Sequence, residues 1–213
     1  MRWSARETDY TPLPRDFLDR ATEQVARELL GMLLIRAARS GLTIGRIVET
    51  EAYLPTGDSA CHAARGKSRK NASMFGRPGL TYVYAIHARW CCNVVTLPRG
   101  IPSAVLIRAL EPLAGIPLMQ QRRGTLVERD LARGPARLCE ALSIDRALDG
   151  WDLTRGRRLW LARPAGPPSQ PFEIGTSRRI GVTSAAELPL RYFVANCSYV
   201  SGPKANHAAD GAE

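Results

Sequence analysis

The sequence predicts an α+β fold: a single compact domain in which helices flank an antiparallel-rich mixed sheet with a protruding β-hairpin. Three observations support this prediction. The 213 residues, 45% of them apolar, suffice for one sizeable core but hardly for two. Apolar residues near the N-terminus recur at helical spacing. Later runs of β-branched and aromatic residues are short, and two of them are close enough to form a hairpin.

The N-terminal part predicts a helix followed by two strands. Behind Asp16, which we interpret as the helix N-cap, apolar residues recur mostly at intervals of three and four. They are Phe17, Leu18, Ala21, Val25 and Leu29. A short apolar strand is predicted over 33–35 and a longer one over 42–53.

The middle of the chain predicts a long loop and a hairpin. Residues 54–78 are rich in Gly, Ser, Asn, Lys and Arg, and loops of this length are usually functional or disordered. Strands over 81–86 and 90–95 follow, separated by His87, Ala88 and Arg89. We therefore expect a β-hairpin with a basic tip.

The remaining elements are a strand over 104–110, helices around 113–126 and 136–142, and late strands over 180–182 and 190–194. The domain is expected to span 13–200. An irregular N-terminal segment, 1–12, precedes it, and a flexible C-terminal tail, 201–213, follows it.

The charge of the chain points to a polyanionic partner. Thirty Lys and Arg against twenty Asp and Glu give a formal charge of +10. Neither an apolar run of about twenty residues nor a secretory signal occurs. We therefore expect no membrane partner and a cytoplasmic protein, associated with the nucleoid in a bacterium. We also expect a monomer. The five cysteines form no CxxC pair, so we expect no disulfide framework, metal or cofactor.

One predicted strand carries candidate chemistry. Glu49, Glu51 and Tyr53 share a face of the 42–53 strand by its period of two. A carboxylate can activate water, and an aromatic ring can stack on a flat substrate. Salt bridging and packing explain the same pattern, so the pattern alone leaves both readings open. The motifs of nucleotide-binding loops, serine hydrolases and zinc proteases are missing.

The order and spacing of several motifs resemble the alkyladenine (3-methyladenine) DNA glycosylase family over roughly residues 20–195. The matching segments are 45–54, Asp58, His62, Asn71, 74–75, 78–79, 82–84, 92–94, 106–112, 134–139, 179–182 and 189–193. The resemblance implies an enzyme that flips damaged purines (alkylated, deaminated or etheno) out of double-stranded DNA. Such an enzyme then hydrolyses the N-glycosidic bond and so initiates base excision repair.

The resemblance also implies roles for individual residues. Glu51 corresponds to the general base that activates the attacking water, and Arg108 helps to hold that water. Glu49 is treated as structural. The base pocket is formed by Tyr53, His62, Tyr84 and Asn93, of which the two tyrosines sandwich the base and the asparagine excludes normal guanine.

The hairpin tip departs from the family pattern. Members of the family insert a tyrosine into the DNA minor groove, and a glycine follows this tyrosine in their sequences. Here His87 and Ala88 stand at these two positions. His87 is therefore the expected intercalating residue, with weaker flipping or a shifted lesion range. Phosphate contacts are expected from Arg89 and from the loop residues Lys67, Arg69 and Lys70.

Two other functions remain open from the sequence. The basic scaffold also suits a non-catalytic protein that binds damaged DNA or other nucleic acids. Hydrolysis of free nucleosides would fit the pocket but leaves the charge without a purpose. Because a lyase needs an amine and Lys67, Lys70 and Lys204 all lie outside the predicted catalytic strands, a water-using, monofunctional glycosylase is favoured.

Overall fold

A computed structural model describes residues 10–165 and 171–203. Two short helices come first, α1 at Arg15–Leu18 and α2 at Thr22–Glu28. The prediction of one helix capped by Asp16 is wrong, because Pro14 occupies the N-cap position and the chain is extended at Ala21. Arg20 Nε donates to the Phe17 carbonyl at 2.9 Å and closes α1 at the break.

Eight strands form one sheet within the described part of the chain. Their order is β3-β4-β5-β2-β1-β6, with β8 paired to both β2 and β7, and every pairing recorded there is antiparallel. The strands are β1 Leu33–Ala38, β2 Gly41–Tyr53, β3 Thr81–Ile86, β4 Arg89–Val95, β5 Ala104–Ala114, β6 Leu159–Ala162, β7 Ile174–Ser177 and β8 Arg191–Val194. The α+β prediction is confirmed.

Helices α3, Ile116–Arg123, and α4, Pro135–Ala141, follow β5. Helix α3 begins later than expected because β5 continues to Ala114 and the chain turns at Gly115. The backbone φ of Gly115 is +73°, and a Cβ there would lie 2.3 Å from the Leu42 carbonyl oxygen. Short 3-10 helices occupy Ala72–Phe75, Glu128–Asp130 and Arg146–Leu148.

The late part of the chain differs most from the prediction. Residues 180–182 are not a strand, since Gly181 has a φ of +78° and the Ile180 N–H bonds a side chain instead of a neighbouring strand. The sequence analysis missed β6 and β7. Ser201, assigned to the tail, is buried and bonded to Glu49, so ordered structure extends past residue 200. Residues 1–9 and 204–213 of the predicted terminal segments, and residues 166–170, lie outside the described residues.

Strand β2 is the centre of the sheet and positions the candidate site. One edge pairs with β5 along most of its length. The other edge pairs with β1 near the start of β2 and with β8 at 49–51. The segment that holds both glutamates is therefore covered by strands on both edges. Helix α2 packs on this sheet, where its Val25 and Ala26 join the main buried cluster.

The hairpin of β3 and β4 ends in a two-residue turn. Ile86 pairs with Arg89, so Arg89 belongs to the strand and the tip is His87 and Ala88 alone. Both tip residues have positive φ, 47° and 62°. This conformation matches the type I′ turns that suit the twist of a tight hairpin, although they favour Asn and Gly.

Replacing Ala88 with glycine is expected to stabilise the protein by about 0.5–1 kcal/mol, because an L-residue pays a steric cost at positive φ that glycine does not. Urea unfolding at pH 7 measures the effect. Ala85→Gly, at an exposed position of strand β3 where alanine pairs with Trp90, is the control and should destabilise. A loss of stability in Ala88→Gly would contradict the turn geometry.

Candidate active site

Two buried carboxylates share one arginine at the centre of the sheet. Glu49 and Glu51 are both fully buried, and the alternation of β2 brings them to the same side. Arg108 Nε donates to Glu49 Oε1 at 3.0 Å, and its Nη1 lies 3.2 Å from Glu51 Oε1. Burial alone lowers the pKa of Arg108, but the two carboxylates outweigh it and raise the pKa above its ordinary value. The guanidinium is therefore permanently charged.

A β-bulge places this arginine. Glu49 lies opposite Ala109 and Thr50 lies opposite Ile107, so the pairing of β2 with β5 passes over Arg108. An extra residue in one strand bends it and redirects its side chain. The bulge explains how Arg108 reaches two carboxylates that belong to the neighbouring strand.

Glu51 receives three donors from three different parts of the chain. Besides Arg108, the Ile180 N–H donates to its Oε1 at 2.8 Å, and the Tyr53 hydroxyl donates to its Oε2 at 3.0 Å. All three are contacts that an ionised carboxylate accepts. They fix the orientation of the carboxylate and leave lone-pair capacity on Oε2 for a further donor, such as a water molecule.

Glu49 is held on the opposite side of Arg108. Its Oε1 accepts from Arg191 Nε at 2.7 Å and from the Ser201 hydroxyl at 2.9 Å, and its Oε2 accepts from the Ser201 N–H at 2.7 Å. Burial raises the pKa of Glu49, but Arg108 and Arg191 outweigh this effect and hold the pKa below its ordinary value. Glu49 therefore anchors Arg108 as a fixed anion.

An aromatic wall lies beside this cluster on β3. The rings of Tyr82 and Tyr84 stack at 5.1 Å, and His62 meets Tyr84 edge-on at 4.5 Å. His62 Nδ1 is 2.8 Å from the Tyr82 hydroxyl. Desolvation lowers the pKa of His62 and raises that of both tyrosines, so all three are neutral at pH 7.

These rings enclose a small pocket. Its lining residues are Tyr53, His62, Met74, Tyr82, Tyr84, Asn93 and Ala104, and its volume is about 10 Å³. Asn93 is buried and fixed by donating to the Tyr82 carbonyl at 2.9 Å. A volume of about 10 Å³ corresponds to roughly one water molecule, so a purine enters only if the rings separate. A wider groove of about 830 Å³ shares His62, Tyr82 and Tyr84 with the pocket and adds Arg65, Lys70 and Arg146.

The basic loop beside the groove is held by one buried side chain. Asn71 accepts from the Ser68 N–H at 2.6 Å and donates to the His62 and Gly66 carbonyls, both at 2.9 Å. These bonds shape the loop from which Lys67, Arg69 and Lys70 project into solvent. On the hairpin, Arg89 is a further exposed cation, two residues after the exposed tip residue His87.

The structure brings Glu51, Arg108 and Tyr53 into one bonded cluster and places His62, Tyr84 and Asn93 around the adjoining pocket. Sequence reasoning placed Tyr82 and Tyr84 on one strand but assigned only Tyr84 to the base pocket, whereas both rings line it. It also assigned no role to Arg179 or Arg191, whose contacts lie far away in sequence. Among the residues that the structure covers, no group of three or more His, Cys, Asp and Glu side chains is suited to hold a metal ion.

Comparison with known proteins identifies the family. The family model for methylpurine-DNA glycosylase matches residues 16–198. The chain belongs to this family. A relative from Rhodopirellula baltica is 48% identical over 92% of this chain and 85% of its own, and one from Mesorhizobium japonicum is 47% identical over 94% and 95%. A third, from Carboxydothermus hydrogenoformans, is 46% identical over 89% and 98%. All three carry the name "Putative 3-methyladenine DNA glycosylase".

Membership in the methylpurine-DNA glycosylase family makes the chain a DNA glycosylase, a hydrolase of DNA repair that acts on N-glycosyl bonds. DNA is thus its substrate, as the excess of basic residues predicts. In the described ranges, no helix is both long enough and apolar enough to cross a membrane.

Proposed function

We propose that this glycosylase is a monofunctional, monomeric enzyme that flips alkylated, deaminated or etheno purines from duplex DNA and hydrolyses their N-glycosidic bond. It would act in the cytoplasm, on the nucleoid in a bacterium. The observation that carries the proposal is the Glu51 carboxylate, which is fully buried, bonded to Arg108, Tyr53 and Ile180, and adjacent to a pocket of aromatic rings.

Glu51 serves as the general base. A water oxygen attacks C1′ of the sugar while one of its protons passes to a Glu51 oxygen. The bond from C1′ to the purine nitrogen breaks, and its electron pair leaves with the base. An abasic sugar and a free purine result: a cationic base leaves as a neutral purine, whereas a neutral base leaves as an anion and takes up a proton from solvent. Arg108 holds the water and the carboxylate in place, and Glu49 keeps Arg108 from moving.

The aromatic pocket binds the flipped base. Tyr53 and Tyr84 would stack on its two faces, and His62 would contact its edge. Such stacking is worth about 1–3 kcal/mol per base and tolerates rings of different shape. Asn93, fixed by the Tyr82 carbonyl, would crowd the 2-amino group of normal guanine. Since the pocket is too small for a purine, binding requires Tyr84 or His62 to move. A damaged base costs less to flip out of the duplex than a normal one.

The direct test is release of free purine by the wild-type protein. A duplex with one hypoxanthine is incubated with excess enzyme, and the products are followed by chromatography and by strand cleavage with and without alkali. We expect free hypoxanthine and a strand that breaks only after alkali treatment. Strand cleavage without alkali, or a borohydride-trapped protein–DNA adduct, would contradict the monofunctional mechanism. Absence of hypoxanthine release would remove deaminated purines from the proposed substrates.

His87 is proposed as the side chain that fills the space left by the flipped base. Its exposed position on the two-residue tip supports this role. His87→Tyr is expected to keep or raise the single-turnover rate, and His87→Gly to lower it, because only a ring replaces lost stacking. Equal rates for all three proteins would remove His87 from the role.

The loop cations and Arg89 are proposed to contact DNA phosphates. Each phosphate neutralised contributes about −0.9 to the slope of log affinity against log salt. Replacing Lys67, Arg69 and Lys70 together with glutamine should therefore reduce that slope by about two to three on undamaged duplex. Fluorescence anisotropy titrations between about 50 and 200 mM salt measure it. An unchanged slope would exclude this loop from the DNA interface.

A further inference from the structure

We propose that Arg179 is a positioning residue that orients both Tyr53 and Glu51, and that its pairing with Asp58 sets the preference between cationic and neutral purine lesions. This inference rests on the proposed function, because it concerns a base stacked on Tyr53. Neither Arg179 nor Asp58 is part of the general-base cluster or of the pocket lining.

Arg179 is fixed by bonds to two separate chain segments. Its Nη1 and Nη2 donate to the two oxygens of Asp58, both at 2.7 Å, and neither side chain is accessible to solvent. Its Nη1 also donates to the Ala52 carbonyl at 3.0 Å, between Glu51 and Tyr53 on β2. A planar guanidinium with this bidentate partner cannot turn without breaking several buried bonds.

This placement fixes two groups of the proposed site at once. The guanidinium carbon lies 4.6 Å from the centroid of the Tyr53 ring and covers one face of it. The next residue, Ile180, donates its N–H to Glu51 at 2.8 Å. The contacts of Arg179 with Asp58 and Ala52 therefore determine both the plane of the stacking ring and the position of one donor to the general base.

The charge behind Tyr53 affects what stacks in front of it. A cation against one face of an aromatic ring repels a second cation on the other face, and the effect persists because the guanidinium of Arg179 is shielded from water. Asp58 supplies the compensating negative charge. Desolvation raises the pKa of Asp58, but the bonds from Arg179 and from the Leu54 N–H outweigh it and hold the pKa below its ordinary value. Because Asp58 compensates the charge of Arg179, a positively charged base can bind against Tyr53.

Substitutions of Asp58 and of Arg179 are expected to shift the preference between cationic and neutral bases in opposite directions. Asp58→Asn leaves the positive charge of Arg179 without its counter-charge and should disfavour a cationic base. Arg179→Gln leaves the negative charge of Asp58 and should favour it. Both substitutions should slow all excision, because the positioning of Tyr53 and Glu51 is loosened.

The test compares 7-methylguanine, a cationic base, with hypoxanthine, a neutral base, in one duplex sequence at subsaturating enzyme. We expect the ratio of the two second-order rate constants to fall about tenfold in Asp58→Asn and to rise severalfold in Arg179→Gln. Arg178→Gln, which removes an exposed charge from the neighbouring residue, is the matched control and should leave the ratio unchanged. Thermal unfolding confirms that each variant is folded.

Arg179→Lys provides a second comparison if Asp58→Asn does not fold. It keeps the charge but loses the bidentate geometry, so both rates should fall while their ratio stays within about twofold of the wild-type ratio. Equal slowing of both lesions in Arg179→Gln and Arg179→Lys would mean a purely structural role and would overturn the inference. Release of neither lesion by the wild-type protein would instead overturn the proposed function on which the inference rests.

Discussion

Glu51→Gln is expected to lower the single-turnover release of hypoxanthine by a factor of about 10²–10⁴, the range typical for loss of a positioned general base. An amide of the same shape cannot accept the proton of the attacking water. Affinity for the duplex should change little, because Glu51 is buried at the centre of the sheet and the proposed phosphate contacts lie on the exposed loop and hairpin.

The glutamine variant also has a structural cost that must be separated from the loss of chemistry. Arg108, Tyr53 and Ile180 all donate to Glu51, and an amide offers one oxygen in place of two. One buried donor is thus left unpaired, at a cost of about 1–3 kcal/mol in the free energy of unfolding. Assays are therefore run well below the unfolding midpoint, with Glu187→Gln, an exposed carboxylate, as the control.

The outcomes distinguish the competing functions. Loss of release with retained binding supports Glu51 as the base. Release that survives in Glu51→Gln would transfer the role to another group. If the wild-type protein binds duplex DNA in a salt-dependent manner but releases no base, the non-catalytic binding function replaces the proposal.

Arg191→Met is expected to destabilise the protein by about 3–5 kcal/mol, because it removes one partner from a fully buried ion pair. Arg191 and Glu49 are both inaccessible to solvent, with Nε and Oε1 at 2.7 Å. In the variant, Arg108 and Ser201 remain as partners of Glu49, and Arg108 must balance two carboxylates. Urea unfolding at pH 7 gives the difference, and Arg178→Met at the exposed surface is the control.

The pH dependence of this loss of stability tests whether the broken ion pair with Glu49 causes it. The pKa of Glu49 is lower in the folded protein than its ordinary value of 4.5. Its stabilising contribution is therefore complete above that value and is lost as the pH falls through the folded-state pKa. The difference between wild type and Arg191→Met should narrow in this acidic range. A difference that is constant from pH 7 to below pH 4.5 would attribute the loss to packing alone.

Local sequence patterns predicted much of the fold but few of the contacts within the candidate site. Alternation indicated β2 and the hairpin, since these strands carry strong β-forming runs. The break between α1 and α2 was missed because the apolar spacing continues across Ala21 and gives no sign of its extended backbone. Strand β6 was missed because its four residues are all buried and show no alternation.

The contacts around the glutamates depend on long-range geometry. The bulge that aims Arg108 exists only in the pairing of β2 with β5, so no local pattern reveals it. Ser201 and Ile180 reach the carboxylates through backbone N–H groups, which every residue type except proline possesses. The resemblance to a glycosylase family supplied the residue roles, while the structure shows how distant segments hold those residues together.

If Glu51 activates water at the reacting sugar carbon, its carboxylate lies close to C1′, and binding of a transition-state mimic detects this. Hydrolysis of a glycosidic bond passes through a sugar with cationic character at C1′. A duplex with a cationic pyrrolidine in place of the damaged nucleoside presents that charge without a reaction. We expect the wild-type protein to bind this duplex at least about 100-fold more tightly than a hypoxanthine duplex, and Glu51→Gln to lose most of the excess. Equal affinity of wild type and Glu51→Gln for the pyrrolidine duplex would contradict this role of Glu51.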